Sequence, residues 1–487
     1  TTPYGLCLRG EQRLRQKMDR AAEKDLLAAV EKDANYAPAL SLLASLAARH
    51  GEYARARAFA ERALAVNTYD AEANYADGLA CWAEGRLYAA KERFGLAAYA
   101  PQWRAAAFAA VAKIELAEGN WAVAETMAEK VLDADRRNPE ARLVQMVAAR
   151  RRGDHAAAGR IARETLAAWP LFHAARYELN RAEPTSEPFD GFVRNELPQE
   201  TYMEIGTWYE AAGQGEDAAA FFARAAERTM IGAIREAYVL FRLGQGAAAR
   251  ARLDRAAAGT TAFALPFRRE TLPALDWAVS ENASWKFAYL KAVLLAGLCR
   301  DAEAKTILCG LGEVPDDSTF YLYRAGLVDG DAAERDLNRA LKLGGGWRAG
   351  LALGRLLAER KDFAAALKVL KPQLATGANK IKIAYANALV GDRRYREAIT
   401  FLETNTFLPS EHGDNASSAW IDAGRALAEE ALAKGDRAAA RAAVRKALSY
   451  PEHLGVGKPY ELDFRPGQSQ RNPLSDWSES LRELAEE

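Results

Sequence analysis

The side chains best suited to ligand binding lie in segments that interrupt a regular helical pattern. In residues 266–271 (PFRRET), two arginines stand beside a glutamate, and a guanidinium donates paired hydrogen bonds to a carboxylate or a sugar. Elsewhere an aromatic residue has a cation close in sequence, as in Trp347 with Arg348 and Tyr460 with Lys458, and this combination suits stacking on a ligand. We predict a partner- or ligand-binding role for eight residues: Arg268, Arg269, Glu270, Trp347, Arg348, Glu411, Lys458 and Tyr460. The alternative is that they join neighbouring helices by ion pairs and loop packing.

Catalytic motifs are incomplete in this sequence. The stretch GQGEDA at 213–218 fits GxGxxA but joins two predicted helices without a preceding strand, so we interpret it as a turn. In GVGKP at 455–459, Pro459 stands where a phosphate-binding loop has Ser or Thr. GxSxG, HExxH and clustered metal ligands do not occur in the sequence. We therefore predict no catalytic residue, no metal and no cofactor within this chain, and leave open whether the full-length protein is an enzyme.

Charge and cysteine content narrow the classes of partner. Lys plus Arg and Asp plus Glu number 66 each, so no overall field attracts nucleic acid or an anionic membrane. The four cysteines, Cys7, Cys81, Cys299 and Cys309, have no CxxC spacing and are predicted to be small core residues in a reducing compartment. No apolar run approaches the ~18 residues of a membrane helix. A cytoplasmic location is favoured.

Small residues recur with a fixed period in the first part of the chain. Two sets share an interval of 34 residues: the glycines Gly51, Gly85, Gly119 and Gly153, and the alanines Ala56, Ala90, Ala124 and Ala158. This period and placement are typical of tetratricopeptide repeats, in which Gly opens the turn between two helices and Ala lets the helices approach closely.

The period predicts an all-α fold, a right-handed superhelical α-solenoid of about twelve tetratricopeptide-like helix pairs. We expect an open curved rod with a concave surface and no enclosed chamber. Four sections are predicted: a regular array at 1–172, an interrupted section at 173–283, a second array at 284–450, and a loop-rich segment with a capping helix at 451–487. The second half is expected to turn at Gly213, Gly244, Gly297, Gly330 and Gly435, and near Lys361 and Arg393.

Pieces of the second half add a resemblance to a known group of proteins. The most specific are 266–271 (PFRRET), 408–411 (LPSE) and 451–460 (PEHLGVGKPY). With their surroundings, about residues 170–466, they resemble the tetratricopeptide-repeat region of large bacterial proteins that carry a domain of unknown function. The resemblance implies that a β-sandwich part precedes the array and that Thr1 follows directly after it. It also implies a carbohydrate-related role for the whole protein.

Three functions fit these observations. The first is a scaffold whose concave groove binds a protein or peptide. The second is a helper or dimerisation module of a carbohydrate-active or carbohydrate-binding protein whose β-sandwich is outside this chain. The third is self-association as a homodimer, which exposed Trp103, Trp121 and Trp169 would favour. The scaffold is the function we predict, with no nucleic-acid or membrane partner.

Overall fold

Alanine-rich amphipathic segments, separated by short turns, form helices that bury one face on the next helix. The computed structural model describes residues 2–184, 189–409, 416–455, 474 and 477–486. Within those residues every regular element is helical and no strand occurs, so the predicted all-α fold is confirmed. The chain divides into two compact units, Thr1–Gly312 (unit 1) and Glu313–Glu487 (unit 2). The predicted four-section division describes repeat regularity and stays a prediction.

Unit 1 contains eighteen α-helices within the described residues. They are Pro3–Arg15 (α1), Asp19–Lys32 (α2), Ala37–Arg49 (α3), Tyr53–Val66 (α4), Ala71–Ala83 (α5), Leu87–Ala97 (α6), Pro101–Glu118 (α7), Trp121–Ala134 (α8), Pro139–Arg151 (α9), His155–Ala168 (α10), His173–Ala182 (α11), Pro198–Ala211 (α12), Gly215–Ala226 (α13), Met230–Arg242 (α14), Gly246–Ala258 (α15), Leu272–Glu281 (α16), Trp285–Gly297 (α17) and Asp301–Gly310 (α18). Most of them pack as consecutive pairs.

The turn within each pair has a residue in the left-handed backbone region. The four periodic glycines have φ between 73° and 83°, as predicted. Lys17, which lies 34 residues before Gly51, has φ 61°, so the first pair keeps the same period. In the α17–α18 turn this residue is Cys299 (φ 62°), whereas the sequence suggested Gly297, which instead ends α17.

Close packing inside each pair depends on small side chains. The four periodic alanines are completely buried. At Gly78 in α5, an added Cβ would lie 2.7 Å from Cε1 of Phe94 in α6, so only glycine fits opposite that ring. Gly206 in α12 faces Phe222 in α13 in the same way. The predicted close approach of paired helices is therefore confirmed.

The 34-residue period breaks after α11, because the described residues between α11 and α12 contain no second α-helix to complete its pair. Residues 183–197 follow instead and include a 3₁₀ turn, Phe189–Phe192. Phe189 is buried, and its ring centroid lies 5.7 Å from that of Tyr177 in α11 and 5.6 Å from that of Phe221 in α13. The phenylalanine thus fills the space between α11 and the next helix pair.

A buried network of ion pairs and hydrogen bonds joins four helices at this break, α9, α11, α12 and α13. Arg150 of α9 donates to both carboxylate oxygens of Glu178 in α11, at 2.7 and 2.9 Å, and to Asp217 in α13 at 2.9 Å. The hydroxyl of Tyr209 donates to Glu178 at 2.6 Å, and that of Tyr177 donates to Asp217 at 2.8 Å. Burial, together with Glu178, raises the pKa of Tyr209 well above its usual value, so its hydroxyl remains a donor.

Unit 2 contains nine α-helices within the described residues. They are Ser318–Ala325 (α19), Gly330–Lys342 (α20), Gly346–Glu359 (α21), Phe363–Leu370 (α22), Asn379–Gly391 (α23), Tyr395–Thr404 (α24), Ser417–Ala433 (α25), Arg437–Ala447 (α26) and Glu479–Glu486 (α27). As predicted, turns lie at Lys361 (φ 63°), Arg393 (φ 60°) and Gly435 (φ 74°). Leu481 and Leu484 of α27 are buried in a cluster with Val444 of α26.

Glu178→Ala is expected to lower the free energy of unfolding of unit 1 by about 3–5 kcal/mol, because it leaves the buried Arg150 guanidinium without its main counter-ion. Glu164→Ala, which removes an exposed partner of Arg160, is the control and should change stability by less than about 0.5 kcal/mol. Urea unfolding followed by circular dichroism measures both, with hydrogen exchange assigning the change to unit 1. Equal effects would contradict a stabilising role for the network.

Lys361→Gly and Arg393→Gly are each expected to stabilise unit 2 by about 0.5–1 kcal/mol, because glycine accepts the left-handed conformation without the Cβ penalty. Arg335→Gly, at an exposed position inside α20, should instead destabilise it by about 1 kcal/mol. Thermal unfolding of the three variants provides the comparison. Destabilisation by either turn variant would show that the lysine or arginine side chain holds the turn by other contacts.

Candidate functional site

The main candidate site is a large cavity within unit 1, which we call the inner groove. Its volume is about 1730 Å³. The residues that line it come mainly from α5, α7, α9, α11, α12, α14 and α16, together with the α3–α4 turn and Arg300. These helices are mostly the first members of their pairs, so the periodic packing places one face of each of them towards the same cavity.

One wall of the inner groove is aromatic, and the neighbouring wall is made of alanine. Tyr53, Tyr75 and Trp82 contribute rings from α4 and α5, and all three are half-buried. Tyr75 also packs on Trp103, with a ring-centroid distance of 4.8 Å. On α7, the residues that line the groove fall on one helical face: Gln102, Ala105, Ala106, Ala109, Ala110, Lys113 and Ala117. The small side chains of α7 leave open space beside the rings.

The charged side chains of the inner groove balance one another. Five are basic (Lys113, Arg235, Arg242, Arg269, Arg300) and five are acidic (Glu140, Glu204, Glu210, Glu270, Asp276). Several form ion pairs, including Lys113 with Glu140 at 2.9 Å and Arg269 with Glu270 at 3.1 Å. Burial lowers the pKa of His173, aided by Arg176, which favours a neutral imidazole at pH 7. The groove therefore has no net charge to select a strongly charged ligand.

The walls of the groove approach each other closely at α7. Gly213, in the α12–α13 turn, has φ 71°, and an added Cβ would lie 2.5 Å from Cα of Ala117. The GxGxxA stretch is therefore a repeat turn, as the sequence suggested, and its first glycine is also required by contact with α7. This contact joins helices that are far apart in the sequence.

The two ends of unit 1 are also in contact. Arg20 of α2 donates to both carboxylate oxygens of Asp301 in α18, at 2.7 Å each, and to the carbonyl oxygen of Ala296 at 3.0 Å. Arg269 donates to the carbonyl oxygen of Ala48 at 2.7 Å. The expectation of an open rod is therefore wrong for unit 1, because its two ends meet. Accumulated rotation from pair to pair brings the last helices back to the first.

Arg268 is held by its neighbours. It donates to Glu200 at 2.5 Å, and its guanidinium carbon lies 4.3 Å from the ring centroid of Phe267. The cavity beside it has a volume of about 20 Å³, room for about one water molecule. Arg269 and Glu270, by contrast, line the inner groove, although Arg269 also contacts Ala48. The structure thus separates Arg268 from Arg269 and Glu270.

The other predicted binding residues lie in unit 2 or outside the described residues. The exposed Arg348 stacks on the half-buried Trp347, with its guanidinium carbon 4.6 Å from the ring centroid. Glu411, Lys458 and Tyr460 fall outside the described part of the chain. For all eight residues, a binding role stays a prediction.

Sequence reasoning missed most of the residues that line the groove. Tyr53 and Leu87 were visible as bulky residues two positions after a turn glycine, and both line the cavity. Tyr75, Trp82 and Trp208 had no such signal, because a helical pattern does not tell which partly buried face borders a cavity.

Cysteines and metal ligands give no second site in the described residues. Cys7 and Cys81 are buried, as predicted, and burial raises the pKa of Cys7 to about 11. Cys309 is exposed, so the prediction of a core position is wrong there.

Across the described residues, no cluster of three or more His, Cys, Asp or Glu side chains is placed to bind a metal. Likewise, no described helix combines the length and apolar character needed to span a bilayer.

Known proteins resemble the chain only at low similarity. No family model and no curated protein sequence matches it. A tetratricopeptide repeat protein from Parabacteroides merdae is 18% identical, with a TM-score of 0.37, over 46% of this chain and 91% of that one. Yeast Tom70 is 14% identical, with a TM-score of 0.24, over 93% of each chain. The Naa15/Naa10 complex bound to HypK-THB matches at 13% identity and a TM-score of 0.27, over 92% of this chain and 76% of that one. The fold assignment rests on the periodic helix pairs themselves.

Gly213→Ala and Gly244→Ala form a matched pair, because both glycines have φ above 70° but only Gly213 has an atom within 4 Å of the added Cβ. Gly244→Ala should cost about 1 kcal/mol of stability through backbone strain. Gly213→Ala should cost about 1–3 kcal/mol more, since α7 must move. Urea unfolding measures the difference. Equal losses would show that α7 and the α12–α13 turn are not in contact in solution.

Proposed function

We propose that the protein is a scaffold that binds an extended polypeptide segment of a partner protein in the inner groove of unit 1. The observation that carries this proposal is the size of the groove, about 1730 Å³, which exceeds the ~300–1,000 Å³ of most small-molecule sites. A segment of polypeptide is the ligand of matching size. Binding of this kind requires no catalytic residue.

The lining indicates the chemistry of that segment. The rings of Tyr53, Tyr75 and Trp82 offer apolar contact together with polar edges. The small residues of α7 leave room for a large side chain opposite them. Because the charges of the groove are balanced, a segment of low net charge with aromatic or aliphatic side chains fits best.

Selection of random linear peptides displayed on phage against the full chain tests the proposal. Peptides that bind are then measured by fluorescence anisotropy. Ala106→Trp places a large ring in the groove from an exposed position on α7. This ring should weaken binding and raise the dissociation constant by at least about tenfold. Ala122→Trp is the matched control, since Ala122 is exposed on α8 and does not line the groove.

The proposal fails if no peptide is selected, or if Ala106→Trp and Ala122→Trp bind the selected peptides equally well. In the second case the peptides bind elsewhere on the chain. Circular dichroism of both variants shows whether the helical fold is retained, so that loss of binding is not mistaken for unfolding.

Other proposals rest on the sequence alone. The resemblance of residues 170–466 supports a larger bacterial protein with a β-sandwich part, and with it a carbohydrate-related function. No contact among the described residues supports either. A cytoplasmic location rests on cysteine usage. Self-association also stays a proposal, and Trp103, Trp121 and Trp169, whose exposure would have favoured it, are half-buried.

A further inference from the structure

The aromatic residues on one wall of the inner groove are regularly spaced. Tyr75, Leu79 and Trp82 lie three or four residues apart on α5, so they share one face of that helix, and all three line the groove. Tyr75 and Trp82 are seven residues apart, which places them about 10 Å apart along the helix axis. Tyr53, at the start of α4, contributes a third ring. We call the three rings of Tyr53, Tyr75 and Trp82 the aromatic wall.

The polar groups of the aromatic wall are available to a ligand. The hydroxyls of Tyr53 and Tyr75 and the indole N–H of Trp82 have no hydrogen-bond partner among the described residues, and each remains accessible. Burial raises the pKa of both tyrosines, so their hydroxyls stay protonated at neutral pH. Each of the three groups can therefore donate to an acceptor on the ligand without giving up a contact within the protein.

The wall formed by α7 offers a different kind of contact. Between Gln102 and Lys113, every residue of α7 that lines the groove is an alanine. An alanine side chain has no hydrogen-bond acceptor, and the backbone carbonyls of a helix interior are already paired. A ligand N–H directed at this wall would lose its hydrogen bond to water without replacement, which costs free energy. The α7 wall therefore favours a segment with few backbone N–H groups.

The regular conformations of a polypeptide fit these two walls unequally. An extended strand repeats every two residues, about 7 Å, which does not match the spacing of Tyr75 and Trp82. Two turns of an α-helix match it, but the carbonyls of a helix are already paired and would leave the donors of the aromatic wall unused. A polyproline II helix repeats every three residues, about 9 Å, and has no internal hydrogen bonds, so its carbonyls are available. Proline, moreover, has no backbone N–H to be left unpaired.

We propose that the aromatic wall binds a proline-rich segment of the partner protein in the polyproline II conformation. Prolines one turn apart pack on the rings of Tyr75 and Trp82, and carbonyl oxygens of the segment accept hydrogen bonds from the aromatic wall. Such a segment is stiff before it binds, so it loses little conformational entropy in an aromatic-lined groove. This inference rests on the proposed function and deepens it by naming the class of segment.

Two fluorescein-labelled peptides of about twelve residues, or four turns of polyproline II helix, test the inference on the full chain. In the first peptide every third residue is leucine and the others are proline, and in the second alanine replaces each proline. Fluorescence anisotropy should give a dissociation constant at least about tenfold lower for the proline peptide. Ala106→Trp should weaken binding of the proline peptide, and Ala122→Trp should not, which places the peptide in the groove.

Tyr53→Phe and Tyr75→Phe each remove one hydroxyl and keep the ring. Neither hydroxyl has a partner among the described residues, so both variants should keep the fold. Each should raise the dissociation constant of the proline peptide about threefold to tenfold, the effect of one lost hydrogen bond. Tyr88→Phe is the matched control, because Tyr88 is exposed on α6 and does not line the groove, and it should change binding by less than about twofold.

Equal or tighter binding of the alanine peptide would overturn the inference, and so would unchanged binding of the proline peptide to both tyrosine variants. Failure of this inference is distinct from failure of the proposed function. If neither peptide binds, but peptides of another kind are selected on phage and lose affinity for Ala106→Trp, the groove binds polypeptide and the proline-rich segment is wrong. If phage selection also yields no groove-binding peptide, the proposed function fails and this inference falls with it.

Discussion

The close approach of two helices across completely buried alanines is the constraint on which unit 1 depends. Ala56, Ala90, Ala124 and Ala158 leave so little space between paired helices that each pair has nearly the same geometry. A repeated geometry produces a constant small rotation from one pair to the next. Over eighteen helices that rotation brings α16–α18 back to α2 and α3, and the contact between the two ends of unit 1 and the inner groove are its consequences. Where the period breaks, at α11, Phe189 fills the gap and the Arg150–Glu178–Asp217 network keeps the next pair in place.

The groove therefore combines two different kinds of surface. Its rings and alanines supply the apolar contact that drives association, while most of its charges are already paired, some with one another and some with residues outside the groove. Paired charges cost a partner little when they are left in place, and they penalise a partner that covers them without replacing their hydrogen bonds. Specificity in such a groove comes from shape and from the order of side chains along the partner segment. Net charge contributes little.

The local features of the fold could be predicted from the sequence, because a helix pair is encoded within its own 34 residues. The helix-pair pattern of the sequence located turns even where glycine is absent, near Lys361 and Arg393. Closure of unit 1 could not be predicted, because Arg20 and Asp301 lie 281 residues apart and nothing in either segment marks the other as its partner.

The same limit applies to the candidate site. Arg269 and Glu270 stood out as unusual residues in an interrupted segment, yet their place beside Tyr53 depends on the rotation summed over the whole unit. Arg268 has the same chemistry as Arg269 but lies against Glu200, away from the groove.

The distance between α2 and α18 tests the central claim most directly, namely that the two ends of unit 1 meet beside the groove. Spin labels on Lys24 in α2 and Lys305 in α18 each lie one helical turn from Arg20 and Asp301, which join the two ends of unit 1. After replacement of the four native cysteines, pulsed electron paramagnetic resonance on the full chain should give one narrow distance distribution at about 3 nm or less, since one turn adds only about 6 Å on each side. A broad distribution without that short distance would mean that unit 1 is an open array, and the groove between its two ends would then not exist in solution.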